Sequence, residues 1–179
     1  METKLKKILK YIGDNPEREG LKDTPTRMIK SWKELFSGYG QDPKTILTTF
    51  DSDGYDEIIL LRDIELYSTC EHHMLPFIGK IHIGYIPDMK VIGISKLARV
   101  AEIYSRRLQI QERLTKQVAD TLMEILKPKG VGVIVEAQHL CMRMRGVNKQ
   151  NSTMVTSTML GNFRDNAIKS EFLKLINKI

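Results

Sequence analysis

Cys70-Glu71-His72-His73 sets a thiol and an imidazole three positions apart, and His139 and Cys141 stand two apart further along the chain. Thiolate sulfur and imidazole nitrogen are zinc ligands, and a turn can bring groups three positions apart onto one ion. The chain holds only two cysteines and four histidines, His72, His73, His82 and His139. Both thiols and three of the four imidazoles therefore sit in two short segments, and that concentration points to a metal site. Taken singly, each residue has a plainer reading: a buried thiol acting as a small hydrophobe, a satisfied core histidine, or one half of a Cys70 to Cys141 disulfide. Four protein ligands would close the site and make it structural. Two thiolates and one histidine would leave a place for water and free the other histidines for proton transfer.

Cations and a carboxylate stand near these segments. If the strand bearing His139 and Cys141 runs on, Arg143 and Arg145 share its face, because side chains alternate with a period of two. Ser95, Lys96 and Arg99 bring a hydroxyl and two cations to an expected helix start, where free backbone N–H groups also favour anions. A metal beside such groups suits a phosphate-bearing substrate, although capping and surface charge would explain any one of them alone. Glu112, beside Gln111 near the start of the next helix, complements the helix dipole. In a pocket, its carboxylate can also accept from the N1–H and exocyclic amine of a guanine. Arg27 falls in a first helical turn, where the dipole disfavours a cation, and a solvated arginine is its plain reading.

The elements that must position these groups follow from periodicity. Leu5, Ile8, Leu9 and Ile12 mark an amphipathic helix with Lys4, Lys6, Lys7 and Lys10 mostly on its wet side. Pro16 and Gly20 break it, Thr24-Pro25 starts a second helix as N-cap and first-turn proline, and Met28, Ile29, Trp32, Leu35 and Phe36 form its stripe. Strands are expected over 57–69 and 77–87, with His82 alternating onto the polar face as a surface histidine. Ser95 caps a helix through Leu97, Val100, Ala101 and Tyr104, and another runs from Gln109 to Leu126 before Pro128 and Gly130 stop it. Strands over 131–145 and 152–160 and a closing helix in EFLKLINKI complete the order α, α, β, β, α, α, β, β, α. Adjacent strands are joined too closely for parallel crossovers, so an antiparallel sheet backed by paired helices, an α+β class, is expected.

Composition bounds the partners. At 179 residues the chain fits one ordinary domain, and 28 Lys and Arg against 22 Asp and Glu give +6, which favours anionic partners. Two cysteines exclude a disulfide scaffold. No segment approaches the roughly 20 apolar residues of a membrane span, and the N-terminus lacks a signal-peptide core, so a cytoplasmic protein is expected.

Five segments in order, EGLKDTPTRM, STCEHHMLPFIGK, VIGISKLAR, RLQIQERLTKQ and EAQHLCMRMRG, resemble GTP cyclohydrolase I from about Glu19 to the C-terminal helix. The resemblance implies a tunnelling fold, a ββααββ antiparallel sheet with paired helices that closes into a barrel on oligomerisation. It implies an N-terminal helical segment over 1–50 and a catalytic unit over 51–179. It also implies conversion of GTP and water to formate and 7,8-dihydroneopterin triphosphate, the first step towards tetrahydrofolate and related pterins. Water activated on zinc attacks C8 of the guanine, and ribose opening, Amadori rearrangement and recyclisation follow. By the same resemblance, Cys70, His73 and Cys141 hold zinc, while His72 and His139 move protons and Ser95 assists the later steps. Glu112 anchors the guanine with help from Gln111 and the backbone of 92–94. Lys96, Arg99 and Arg145 clamp the triphosphate, and Arg27 reaches in from a neighbouring subunit. The implied assembly is a homodecamer with shared active sites, with neither nucleic acid nor membrane as partner. A related tunnelling-fold purine or pterin enzyme, such as a nitrile reductase with a cysteine nucleophile, would not need both ligand pairs. A zinc-stabilised nucleic-acid module would interleave aromatic and basic residues, which the sequence does not do.

Overall fold

The computed structural model describes residues 1–177, so Lys178 and Ile179 of the expected closing helix lie outside the described residues. The helices α1 (Glu2–Ile12) and α2 (Thr24–Leu35) come first. Strands β1 (Thr49–Asp51), β2 (Ile59–Cys70), β3 (Pro76–Ile86) and β4 (Lys90–Ile92) precede helix α3 (Ile94–Ser105). Strand β5 (Leu108–Gln109) then leads into helix α4 (Gln111–Leu126), followed by strand β6 (Gly130–His139) and a single helical turn, α5 (Leu140–Arg143). Strand β7 (Met154–Gly161) and helix α6 (Asn166–Asn177) are the last elements among the described residues. The main sheet has the order β5-β2-β3-β6-β7, and β1 pairs with β4 in a two-stranded sheet. The expected ββααββ order is present, with one departure: β5 pairs with β2 in parallel.

Burial explains the strand composition. β6 is the second strand from one edge of the sheet and is covered on both faces at its start, so it reads as a nearly unbroken apolar run. Val131, Val133, Val135 and Ala137 are at most 1% exposed and pack against the stripe of α4 formed by Leu114, Val118 and Leu122, together with Leu97 and Val100 of α3. On the opposite face, Gly84 and Gly132 are cross-strand partners. A Cβ at Gly132 would lie 2.3 Å from the Phe163 ring, so this pair of glycines makes the flat patch on which Phe163 and Phe172 rest edge to face. That second cluster covers one end of the sheet, and Tyr67 and Ile78 at the other end stay exposed.

Several local expectations are corrected. The strand at 131–145 stops at His139, and 140–143 form a helical turn, so Arg143 and Arg145 are not aligned with His139 by strand alternation. Asp23 caps α2 in place of Thr24, without a side-chain capping bond, and Gly93 caps α3 in place of Ser95. His82 is buried, at 2% exposure. A register shift in β2 between Leu61 and Ile64 swings the chain over it, with Asp63 in the left-handed region. The Asp63 N–H then donates to His82 Nδ1 at 3.2 Å, and Nε2 lies 3.0 Å from Glu136 Oε1. In α1 only Leu5 of the expected stripe is buried, while Ile8 and Ile12 face outward.

Candidate functional site

The end of β2 and the start of β3 hold the first half of the site. Cys70 and Leu75 close the hairpin through the Cys70 N–H to Leu75 carbonyl bond of 2.8 Å. The Met74 N–H returns to the Cys70 carbonyl at 2.9 Å, with Met74 in the left-handed region, and this tight turn lifts His72 and His73 into the open. Behind the turn, the Glu71 N–H donates to the Gln109 carbonyl at 3.0 Å. Its carboxylate pairs with Arg113 of α4, which also donates from Nε to Gln109 Oε1 at 2.9 Å. The Arg113 hydrogen bond holds the Glu71 carboxyl below the usual carboxylate range.

The second half comes from the end of β6. Phe77 and His139 are cross-strand partners, and their rings stack 4.6 Å apart at 6°. His139 lies on the same face as Val135 and Ala137, which is the face turned to α4, so Gln111 at the start of α4 meets it: His139 Nε2 is 2.8 Å from Gln111 Oε1. Burial pushes the His139 imidazole below its ordinary value, and Glu112 pulls it back. Two residues further, within the turn α5, Cys141 arrives beside Cys70 and His73.

The sulfur and nitrogen atoms of Cys70, His73 and Cys141 all lie within 4.8 Å of one another. Both cysteines are free, which excludes the disulfide reading. Burial pushes the Cys141 thiol above its usual range, the adjacent Cys70 adds to that, and Arg145 opposes it. Two sulfurs sharing a small space gain by binding a cation that neutralises both thiolates, so the donor set fits zinc, with three ligands and an open place. A cavity of about 340 Å³ opens beside the cluster, lined by Ala137, His139, Cys141, Met142, Ser152, Thr153 and Met154.

Glu112 is exposed at the start of α4, within electrostatic reach of His139. Ser95 and Arg99 are exposed and Lys96 half-buried at the start of α3, and among the described residues no hydrogen bond or ion pair ties them to the metal cluster. Arg27 is exposed and has local partners: the Gly20 carbonyl at 3.3 Å, Thr24 Oγ1 at 3.4 Å and Asp23 at 3.7 Å, which answer the unfavourable dipole. Gln111 is buried, at 1% exposure, and its amide is engaged by the Val135 and Met154 carbonyls and by His139. Phe77, Glu71 and Arg113 support the site without having been expected to. Only the pairing of distant segments reveals them, although Arg113 two positions after Gln111 was a visible cation.

A family model for GTP cyclohydrolase I matches residues 1–177. A GTP cyclohydrolase 1 of Wolinella succinogenes is 59% identical over 175 residues, spanning 97% of this chain and 94% of the relative. Proteins of the same name from Campylobacter lari and Gloeobacter violaceus are 54% and 53% identical over 179 residues, covering 98% and 99% of this chain and 94% and 84% of their own. Among solved structures, the archaeosine synthase QueF-Like in its apo form is 16% identical at a TM-score of 0.49, covering 59% of this chain and 94% of that one. Among the described residues no helix is long and apolar enough to cross a membrane.

Proposed function

This chain belongs to the GTP cyclohydrolase I family, and from that premise we propose that it converts GTP and water to formate and 7,8-dihydroneopterin triphosphate, opening the tetrahydrofolate and pterin route. The observation that carries the reading is the convergence of Cys70, His73 and Cys141 within 4.8 Å beside a cavity that His139 lines. The family is zinc-dependent, and these three residues would hold the ion. When bound, zinc supplies Lewis-acid activation of water for attack at C8 of the guanine.

The chain's own residues do the rest. Glu112 anchors the guanine by accepting from its N1–H and exocyclic amine, which sets C8 towards the metal cluster. His72, exposed on the turn, exchanges protons with the purine and with solvent, and His139, enclosed and stacked, moves protons at a fixed position. Lys96, Arg99 and Arg145 neutralise the triphosphate, and Ser95 serves the later ribose steps. Arg27 reaches the triphosphate of a neighbouring subunit, which gives the helical segment over 1–50 a role at the active site of the unit over 51–179.

Assembly as a homodecamer accounts for the exposed end of the sheet. There Tyr67 and Ile78, 51% and 42% exposed, border an apolar groove of about 340 Å³ with Trp32, Leu35 and Phe36. The working compartment is the cytoplasm, where free thiols persist, and the basic groups serve the triphosphate in place of nucleic acid or membrane.

The test is incubation of zinc-replete, assembled protein with GTP, followed by assay of formate and of pterin fluorescence after oxidation. Both products appear together if the proposal holds. The absence of both, in protein shown to hold zinc at full occupancy, overturns it.

A further inference from the structure

Gln111 is an uncharged, almost fully buried side chain whose every polar atom is spoken for. Its Nε2 lies 3.0 Å from the Val135 carbonyl, 3.0 Å from the Met154 carbonyl and 3.1 Å from Thr156 Oγ1. Carbonyl oxygens only accept, so the amide must turn its NH₂ towards β6 and β7. The neighbouring hydroxyls run in a consistent direction. Thr115 Oγ1 donates to the Gln111 carbonyl at 2.7 Å, which leaves it to accept from Thr156 Oγ1, 2.7 Å away, and Thr156 Oγ1 shares the two Gln111 amide protons with the Val135 and Met154 carbonyls. With the NH₂ so fixed, Gln111 Oε1 faces His139 Nε2 at 2.8 Å, and an amide oxygen cannot donate.

The proton in that contact must therefore sit on the imidazole. We propose that Gln111 is a positioning residue that locks His139 as the Nε2–H tautomer, leaving Nδ1 as the one ring atom able to take up or give a proton to substrate. The inference rests on the reading of His139 as a proton carrier in the reaction above. Among the described residues no hydrogen bond engages Nδ1, and the stacked Phe77 ring at 4.6 Å holds the ring plane. Tautomer and plane are thus set by separate partners, the amide along one ring edge and the aromatic face beneath it. His72 and His73 on the turn have no hydrogen-bonding partner of this kind among the described residues.

Neutron diffraction from deuterium-exchanged, zinc-loaded crystals of the assembled protein reads the proton directly. The expected result is deuterium on His139 Nε2, with the two Gln111 deuterons directed among the Val135 carbonyl, the Met154 carbonyl and Thr156 Oγ1. Deuterium on Nδ1 with none on Nε2, or a reversed amide, overturns the proposal. This readout needs no variant and no turnover, so a protein inactive on GTP would sink the reaction while leaving the tautomer measured. The kinetic counterpart is Gln111→Met, expected to lower kcat about 10- to 100-fold with KM for GTP within about twofold. A raised KM with unchanged kcat would return Gln111 to guanine binding and overturn its positioning role.

Discussion

The two arms of the metal cluster are built by opposite means. The turn arm, 70–75, is held by its backbone, through the Cys70 to Leu75 closure and the left-handed Met74, and it leaves its two imidazoles exposed. The strand-end arm is held through side chains: His139 is half-buried, stacked on Phe77 and hydrogen-bonded to a sealed glutamine. A backbone-held turn fixes where its residues begin but leaves ring orientation to solvent and substrate. A side-chain cage fixes the ring itself. On the proposed reaction, that difference would give the arms different proton duties, exchange with water on one and directed transfer on the other, while each offers a sulfur to the candidate metal cluster.

The sharpest way to break the comparison is to remove what the arms share. Cys141→Ala takes a sulfur from the strand-end arm, and zinc content is expected to fall from about one per chain to below roughly a tenth, with formate release lost in parallel. Metal analysis beside the formate assay checks it. A variant retaining both zinc and turnover would show that the arms do not meet on one ion.

Removing one imidazole from each arm should reveal their unequal enclosure. His72→Ala and His139→Ala are each expected to slow turnover by about 10²- to 10⁴-fold, the range for a lost general acid or base. Free imidazole added to the assay should restore several-fold of the rate in His72→Ala, whose site is open, and almost none in His139→Ala, whose ring space lies between Phe77 and Gln111. Equal rescue of both variants would erase the distinction between the arms.

That distinction was only partly written in local sequence. The ligand clusters were legible because Cys and His are scarce here and closely spaced, and the ββααββ order was legible from alternation and helical stripes long enough to show a period. Over 140–143 the pattern failed: four residues cannot separate a strand period from a helical one, and Leu140, Met142 and Met144 alternate with Cys141 and Arg143 as well as any strand would. His82 misled for another reason. Its face is covered by a register shift in β2 that alternation in β3 cannot register. The commitment of Gln111 was invisible because its partners lie 24 to 45 positions away, and two of them are backbone carbonyls that carry no residue signature.

A third perturbation acts on the cage alone. Phe77→Leu removes the stacked ring but keeps apolar volume, and the expected cost is about 1 kcal/mol of stability, measured by denaturant midpoint. Zinc affinity should be unchanged, since Phe77 supports His139 and neither sulfur. A large loss of zinc would mean that the strand-end arm positions Cys141 through the same packing that orients His139.

The smallest effect belongs to the support of the turn. Arg113 reaches Glu71 with a planar fork while donating to Gln109 Oε1 and to the Leu108 carbonyl at 3.2 Å, so one guanidinium ties the turn to β5 and to the start of α4. Arg113→Lys keeps the charge and loses the fork. Because the backbone bonds at Cys70, Glu71 and Met74 remain, the turn should keep its shape on average and only widen its excursions. Zinc affinity, read by competition with a chelator, is then expected to fall by no more than about tenfold, at the low end for a supporting partner of a metal ligand. The kcat of zinc-saturated protein should move less than in Gln111→Met. The reverse order, with Arg113→Lys costing more turnover than Gln111→Met, would show that side chains hold the turn as firmly as they hold His139, and the contrast between the arms would fail.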